Sequence, residues 1–238
     1  MFNLSKTLQI NSREALNLLI KDFEKTNIII CGEVHGIKEN YLIYEYLINM
    51  LNVSQVGIEL NKKLFDFIKK KDVVECEFDF KNDKRLYKYL IDGRINKSFL
   101  NLVYKLKKKN IKIFLYDNAS YKDIIKSNDP RNDIRDKIMA KDILRNNINN
   151  EKTFIWAGNN HTSWKRISQG RTSMYNYLKQ QGVKATLVKI EYGRGYFYNL
   201  KIKKIKGDKN ITEYRLLKYK YGYKFQIPNP KAIIPYYK

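Results

Sequence analysis

Residues 27–36, NIIICGEVHG, form the stretch of the sequence that decides the fold. Its first half is a short, unbroken apolar run, which is typical of a parallel β-strand covered on both faces. Its second half places two glycines around a glutamate and a histidine, so we expect the strand to end in a tight turn that carries polar side chains. Such a strand predicts a sheet with functional groups along one edge.

The rest of the chain alternates between strands of this kind and amphipathic helices. Further strands are predicted at 56–58, 111–116, 153–157 and 185–190, and helices at 12–25, 38–51, 62–70, 98–109, 132–148 and 172–181. Alternation of strands and helices is typical of a parallel sheet with helices on its faces. We therefore predict an α/β fold with three layers, in which helices flank a mostly parallel central sheet.

The pattern changes after Tyr192. Segments 197–202 and 221–225 alternate polar and apolar residues like exposed antiparallel strands, and no Gly-, Ser- or Pro-rich linker precedes them. The predicted organisation is a catalytic-type core over residues 1–192 and a basic, Tyr-rich extension over residues 193–238. We expect this extension to be an antiparallel elaboration packed on the same domain.

Composition excludes several classes of protein. The 238 residues include 47 Lys and Arg against 24 Asp and Glu, and the 43% hydrophobic share is too high for a disordered chain. The apolar runs are much shorter than the roughly 20 residues of a membrane-spanning helix. Two cysteines cannot form a disulfide framework, so a reduced, cytoplasmic protein is expected.

Cys31 is expected to be a buried strand residue, with a Cys–His nucleophile as the less favoured alternative.

Polar side chains follow four of the predicted strands at the point where each strand ends. They are Glu33 and His35 after the first strand, Glu59 after the second, Asp117 after the third and His161 after the fourth. Carboxyl ends of parallel strands lie along one edge, so these residues are expected to meet in one crevice. Both histidines of the chain belong to this set, and an imidazole pKa of about 6.5 suits proton transfer. Glu33 and His35 are two residues apart, so the carboxylate can orient the imidazole and raise its basicity.

Four short motifs occur along the chain in a fixed order. They are GEVHG at 32–36, GIE at 57–59, RDKIMA at 135–140 and WAGNNH at 156–161. Together they resemble the erythromycin esterase/ChaN-like superfamily, to which the TIKI and TraB metalloprotease-like proteins are related. The resemblance covers roughly residues 27–190 and implies an α/β protein with a hydrolase-type crevice.

The resemblance to the esterases implies that the protein cleaves an ester, lactone or amide bond by means of activated water, without a metal. His35 would be the general base in that reaction, and Glu33 and Glu59 would orient His35 or the water. His161 and Arg135 would stabilise the developing oxyanion.

Three further polar residues, Asp117, Asp136 and Asn160, are predicted to bind a small-molecule or peptide substrate.

Two features differ from the esterase pattern. One residue separates Glu33 from His35, which is the ChaN-like spacing, and Gly158 stands where the esterases usually carry another histidine. A macrolide substrate is therefore not expected, whereas an acidic substrate would suit the basic surface.

The other branches of the superfamily leave alternatives open for the cofactor. ChaN-like relatives are implied to bind haem, and TIKI-like relatives are implied to use a divalent metal for peptide hydrolysis. Glu33, His35, Glu59 and His161 would be a mixed nitrogen and oxygen ligand set for that metal. No Cys-x-x-Cys-His motif is present, so haem is less favoured than either one divalent metal or no cofactor.

The charge of the C-terminal tail points to a different class of function. Residues 181–238 hold 14 Lys and Arg against three acidic residues, and the lysines are interleaved with Tyr214, Tyr219, Tyr221 and Tyr223. Lysines can contact phosphates and aromatic rings can stack on bases, so a non-enzymatic protein that binds nucleic acid or another polyanion is the further alternative. The sequence does not predict an oligomeric state.

Overall fold

The structure is a computed structural model that describes residues 10–61, 93–119, 133–146, 151–163 and 172–233. The helices of this part are α1 (Ile10–Thr26), α2 (Glu39–Met50), α3 (Lys97–Lys108), α4 (Asp133–Asn146), α5 (Asn159–Thr162) and α6 (Met174–Gln180). The strands are β1 (Ile28–Glu33), β2 (Gln55–Ile58), β3 (Lys112–Leu115), β4 (Thr153–Gly158), β5 (Thr186–Tyr192), β6 (Gly195–Asn199), β7 (Lys201–Ile205), β8 (Arg215–Tyr219) and β9 (Gly222–Ile227). The helix predicted at 62–70 lies outside the described residues.

The main sheet has seven strands in the order β3-β2-β4-β1-β5-β9-β8. Neighbouring strands from β3 to β9 are parallel, and β8 is antiparallel to β9 at the edge. Every residue of β1 and of β4 is buried, as expected for central strands that helices cover on both faces. The predicted mostly parallel α/β sheet is therefore confirmed.

Helices cover both faces of this sheet. α1, α2 and α3 pack on the face that carries Ile29, Cys31 and Trp156, whereas α4 and α6 pack on the face that carries Ile30 and Ile155. Successive residues of a strand point to opposite faces, so each apolar run supplies both cores. The prediction of three layers is confirmed. Among the described helices, none is both long enough and apolar enough to cross a lipid bilayer.

The start of α1 differs from the sequence prediction. A helix over 12–25 was expected, but the helix already begins at Ile10, and Ser12 lies inside its first turns. Ser12 is buried, and its hydroxyl accepts a 3.1 Å hydrogen bond from the backbone N–H of Leu216 in β8. This hydroxyl therefore joins the helix to the edge of the sheet.

Two predictions about the tail need correction. Segment 197–202 is not one strand, because it contains the turn of the β6–β7 hairpin, where Leu200 has a φ of 62°. Segment 221–225 pairs antiparallel with β8 as predicted, but it is not exposed, because Tyr223 and Phe225 are fully buried in β9. β9 runs parallel to β5, and α1 covers its buried face, so this part of the tail extends the main sheet.

Candidate functional site

The order of the strands brings the predicted polar residues to one place. The carboxyl ends of β3, β2, β4 and β1 lie side by side, and these ends lead to Asp117, Glu59, His161 and Glu33 respectively. Hydrogen bonds and ion pairs connect the side chains there into a set that we call the crevice cluster. Its members are Glu33, His35, Glu59, Arg94, Asp117, Arg135, Asp136 and His161.

Glu33 orients His35 at the end of β1. Oε1 of Glu33 lies 2.8 Å from Nδ1 of His35, and Oε2 accepts a 2.5 Å hydrogen bond from the hydroxyl of Tyr44 on α2. Because an ionised carboxylate only accepts hydrogen bonds, the neutral imidazole carries its proton on Nδ1 and its lone pair on Nε2. The Glu33 side chain is 3% exposed and that of His35 is 22% exposed, so a buried carboxylate holds a ring that solvent reaches in part.

The environment makes His35 a stronger base than a free imidazole. Burial lowers the pKa of His35, but the hydrogen bond with Glu33 raises it, and the negative charge of Glu59 adds to that effect. The positive charge of Arg94 opposes them, and the net result is a pKa above the ordinary value.

Glu59 is the anchor at the centre of the cluster. Its Oε1 accepts hydrogen bonds from Nη1 of Arg94 and Nη2 of Arg135, both at 2.9 Å, and its Oε2 accepts a 2.7 Å bond from the backbone N–H of Gly158. Burial raises the pKa of Glu59, yet the surrounding positive charges, that of His161 foremost, hold it well below its usual range. Glu59 therefore stays ionised and positions its neighbours rather than exchanging protons.

A second carboxylate orients His161 in the same manner. Nδ1 of His161 lies 2.6 Å from Oδ1 of Asp136, and the same oxygen accepts the backbone N–H of Met174 at 2.9 Å. Nε2 of His161 lies 3.5 Å from Oε1 of Glu59 and 3.4 Å from Nη1 of Arg135. The crevice cluster thus contains two imidazoles, each held at Nδ1 by its own carboxylate.

Arg135 is fixed between two carboxylates. Its Nε and Nη2 donate to the two oxygens of Asp117 at 2.9 and 2.8 Å, and Nη2 also donates to Glu59. Burial lowers the pKa of Arg135, but the hydrogen bonds and charge of Asp117 more than offset this, so the guanidinium keeps its charge. Asp117, predicted to contact substrate, uses both carboxylate oxygens to hold Arg135.

The remaining predicted positions differ in their placement. Asp136 lies in the cluster, where it orients His161. Asn160 is exposed on the short helix α5, and no contact within the described ranges ties its side chain to the cluster. Two residues were missed by the sequence reasoning, Arg94 and Tyr44. Tyr44 stands on the buried face of α2, which is a signal of contact with the sheet, whereas nothing local marks Arg94.

Gly158 leaves room for the imidazole of His35. A Cβ atom at position 158 would lie 2.9 Å from Nε2 of His35 and 3.6 Å from Oε2 of Glu59. Any larger residue there would displace the His35 ring. The glycine that separates this chain from the esterase pattern is therefore matched to the position of His35.

The four predicted metal ligands do not form a ready metal site. Both carboxylate oxygens of Glu33 and both of Glu59 already accept hydrogen bonds from protein donors. Within the ranges that the structure describes, no group of three or more His, Cys, Asp and Glu side chains is arranged to hold a metal ion.

Cys31 is fully buried in β1. Burial, with a further contribution from the charge of Glu33, raises the pKa of its thiol well above the usual range. Since the thiolate is the nucleophilic form, Cys31 has the environment of a buried strand residue.

The fold and the crevice cluster define an α/β protein with two carboxylate-held histidines at the carboxyl edge of its sheet. Solved structures with the same kind of fold are similar at low identity. The type III effector HopBA1 is 11% identical, with a TM-score of 0.52 over 90% of this chain and 93% of that one. This likeness shows a shared fold alone.

Two further structures are similar to a smaller degree. ChaN of Campylobacter jejuni, described with cofacial haem binding, is 16% identical, with a TM-score of 0.49 over 74% of this chain and 86% of that one. A Bacillus cereus protein is 10% identical, with a TM-score of 0.46 over 95% of this chain and 100% of that one. No family model and no curated protein matches the sequence.

Proposed function

We propose that the protein is a hydrolase that cleaves an ester, lactone or amide bond with water activated at His35. The observation that carries this proposal is the 2.8 Å contact between Nδ1 of His35 and Oε1 of Glu33. It leaves Nε2 of a partly exposed imidazole as the proton acceptor, which is the arrangement that a general base requires.

The reaction begins when Nε2 of His35 takes a proton from water. The water oxygen forms a bond to the carbonyl carbon of the substrate, and the carbonyl electron pair moves onto oxygen to give a tetrahedral oxyanion. When the oxyanion collapses, the bond to the leaving oxygen or nitrogen breaks, and the proton on His35 passes to that leaving atom. The products are an acid and an alcohol or amine, and the base is regenerated.

The guanidinium of Arg135 and the imidazole of His161, which both meet Glu59, suit the stabilisation of that oxyanion. His161 and Nη1 of Arg135 lie 3.4 Å apart beside the anchor carboxylate, and both are held by carboxylates in fixed orientations. Donors that are already oriented need no reorganisation when charge develops, which is the main source of electrostatic catalysis. Glu33, Asp136, Glu59 and Asp117 are then positioning residues.

The metalloprotease alternative needs open carboxylate ligands, and the oxygens of Glu33 and Glu59 are already engaged. Haem binding stays an alternative, because Nε2 of the partly exposed His35 is a nitrogen of the kind that ligates haem iron. The class of substrate stays as the motifs indicate it, a small molecule or a peptide. A net charge of +23 would favour the approach of an acidic one.

Turnover of a chromogenic panel tests the proposal. The panel contains p-nitrophenyl esters, aryl-substituted lactones and aminoacyl p-nitroanilides, each supplied with acidic and neutral side groups. We expect hydrolysis of at least one class, and we expect His35→Ala to lose about 10²- to 10⁴-fold in kcat/KM. The melting temperature should change little, because the His35 side chain is 22% exposed and lies at the end of its strand.

A matched control is Lys107→Ala, which changes an exposed residue on α3 far from the crevice cluster. It should retain full activity. Hydrolysis in water enriched in oxygen-18 should place one labelled oxygen in the acid product. Turnover that survives His35→Ala would show that His35 is not the base.

A further inference from the structure

A groove lies at the opposite end of the sheet from the crevice cluster. It has a volume of about 740 Å³, and it is formed by the end of α1, by α6, by the start of β5 and by the turn between β8 and β9. Thr26 and Thr186 lie at its base, where their hydroxyls are 3.0 Å apart. The six residues of β1 separate this level from Glu33, a distance of about 20 Å.

The walls of the groove are strongly basic. Lys25, Lys179, Lys218 and Lys220 line it, against the single carboxylate of Asp22. Lys218 donates to Asp22 at 2.5 Å, so this pair is neutralised internally. In the part of the chain that the structure describes, Lys25 and Lys179 form no ion pair, and both are exposed. Lys25, Lys179 and Lys220 thus bring positive charge to the groove from α1, from α6 and from the turn between β8 and β9.

Aromatic faces accompany these lysines. Tyr221 is 42% exposed at the β8–β9 turn, and its ring stands edge-on to that of Tyr219, with centroids 6.2 Å apart. Nζ of Lys220 lies 5.4 Å from the centre of the Tyr221 ring. Tyr175 of α6 lines the groove on the other side. An exposed ring next to ammonium groups can stack on a planar heterocycle while the lysines contact its phosphate.

Two details indicate a shaped site rather than a charged surface alone. Asn176 lines the groove and is 3% exposed, and its Nδ2 donates to no atom among the described residues, although a buried amide normally has a partner. Gly222 has a φ of 145°, and a Cβ atom there would lie 2.3 Å from the carbonyl oxygen of Leu187. The glycine therefore lets the Tyr-bearing turn lie directly against β5.

We propose that this groove binds a nucleotide unit, with Lys25, Lys179 and Lys220 on the phosphate and Tyr221 against the base. The volume lies within the range of small-ligand sites, about 300 to 1,000 Å³. The unit is either a free nucleotide or one nucleotide of a single strand, because both present a phosphate beside an aromatic ring. The site does not depend on the hydrolase proposal, since none of its residues belongs to the crevice cluster.

Two probes distinguish the sources of the ligand. Isothermal titration with AMP measures binding of a free nucleotide, and fluorescence anisotropy with labelled dT12 measures binding of a strand, each at 50 and 200 mM salt. We expect binding of at least one probe at 50 mM salt. For dT12, neutralisation of one phosphate by the three lysines predicts about a two- to threefold loss of affinity between the two salt concentrations.

Variants then locate the site. Lys179→Glu with Lys220→Glu should weaken binding at least about tenfold, and Tyr221→Ala should weaken it about fivefold or more through lost stacking. The matched control is Lys107→Glu with Lys112→Glu, which changes the same charge on exposed residues elsewhere and should stay within about twofold of wild type. Melting temperatures verify folding, and turnover at the crevice should be unchanged in all of these variants.

Several results would overturn the proposal. The first is that neither AMP nor dT12 binds at 50 mM salt. The second is that the control pair loses as much affinity as the groove variants, and the third is that Tyr221→Ala keeps the affinity of the wild type. The second result would mean that the overall charge of the protein attracts the probes, and the third that phosphate is held without the base.

Discussion

Oε1 of Glu33 and Nδ1 of His35 are 2.8 Å apart, although Glu33 lies in a strand and His35 lies in the turn that follows it. Tyr44 occupies the other oxygen of the same carboxylate. A buried carboxylate with both oxygens engaged has one stable orientation, so it fixes the imidazole. His161 and Asp136 repeat this relationship across a different pair of elements, at 2.6 Å.

The Glu33–His35 contact leads to a prediction about the pKa of His35. Glu33→Gln removes the negative charge that favours the imidazolium, so the pKa of His35 should fall. The acidic limb of the pH profile of kcat/KM should therefore move to lower pH, with a lower plateau because the base is weaker. A titration of the two histidines by NMR measures the pKa directly.

Glu45→Gln is the control for this variant. Glu45 is a surface carboxylate whose Oε1 lies 2.7 Å from Nζ of Lys105, and its loss removes the same charge far from the imidazole. The pKa of His35 should not change in this variant. If Glu33→Gln also leaves that pKa unchanged, the hydrogen bond to Glu33 does not raise the basicity of His35.

Glu59 should govern stability rather than proton transfer. Glu59→Gln leaves Arg94 and Arg135 without their shared anion, so we expect the free energy of unfolding to fall by about 3–5 kcal/mol at pH 7. The folded pKa of Glu59 is depressed, so its stabilisation is complete above the ordinary value of 4.5 and is lost as pH falls below it. Urea unfolding should therefore show a constant difference at pH 6–8 and a smaller one at pH 3.5. A difference that grows on acidification would contradict this account.

Substitution of Gly158 should lower the activity, whereas substitution of Gly182 should lower the stability. Gly158 has a φ of −61°, which any residue adopts, so Gly158→Ala should fold normally but push the His35 ring aside and lower kcat/KM at least about tenfold. Gly182 has a φ of +78° with no atom within 4 Å of a Cβ position. Gly182→Ala should therefore cost about 1 kcal/mol of stability and leave turnover unchanged. Calorimetry and steady-state rates on the two variants check this, and the opposite pattern would refute it.

The engaged carboxylates predict how the protein responds to chelators. A divalent metal at Glu33 and Glu59 would have to replace hydrogen bonds from Tyr44, Arg94 and Arg135. We therefore expect dialysis against EDTA to leave kcat/KM unchanged. Elemental analysis and a visible spectrum of the purified protein complete the test. Loss of activity that returns with one equivalent of metal would favour the TIKI-like alternative, and a Soret band would favour the ChaN-like one.

Patterns and motifs in the sequence were enough to locate most of the elements and seven of the eight residues of the crevice cluster, all but Arg94. The buried strands appear as apolar runs because covered parallel strands need apolar residues on both faces, as in β1 and β4. The contact between Glu33 and His35 was predicted from their spacing in an extended segment, but in the structure His35 makes it from the turn that follows β1. The positions of Glu59 and His161 were predicted in the same way, as polar residues that follow a strand.

Only the tertiary structure decided which residues meet. The order β3-β2-β4-β1 places Glu59 between the ends that carry Asp117 and His161, and no local pattern encodes the order of strands in a sheet. Arg94 was invisible because its partner, Glu59, lies 35 residues away in the chain. The sequence alone thus determined a strand that ends in a glutamate and is followed by a turn that carries a histidine. The packing of helices on both faces determined the rest, because contacts between distant segments fix strand order and the orientation of buried charges.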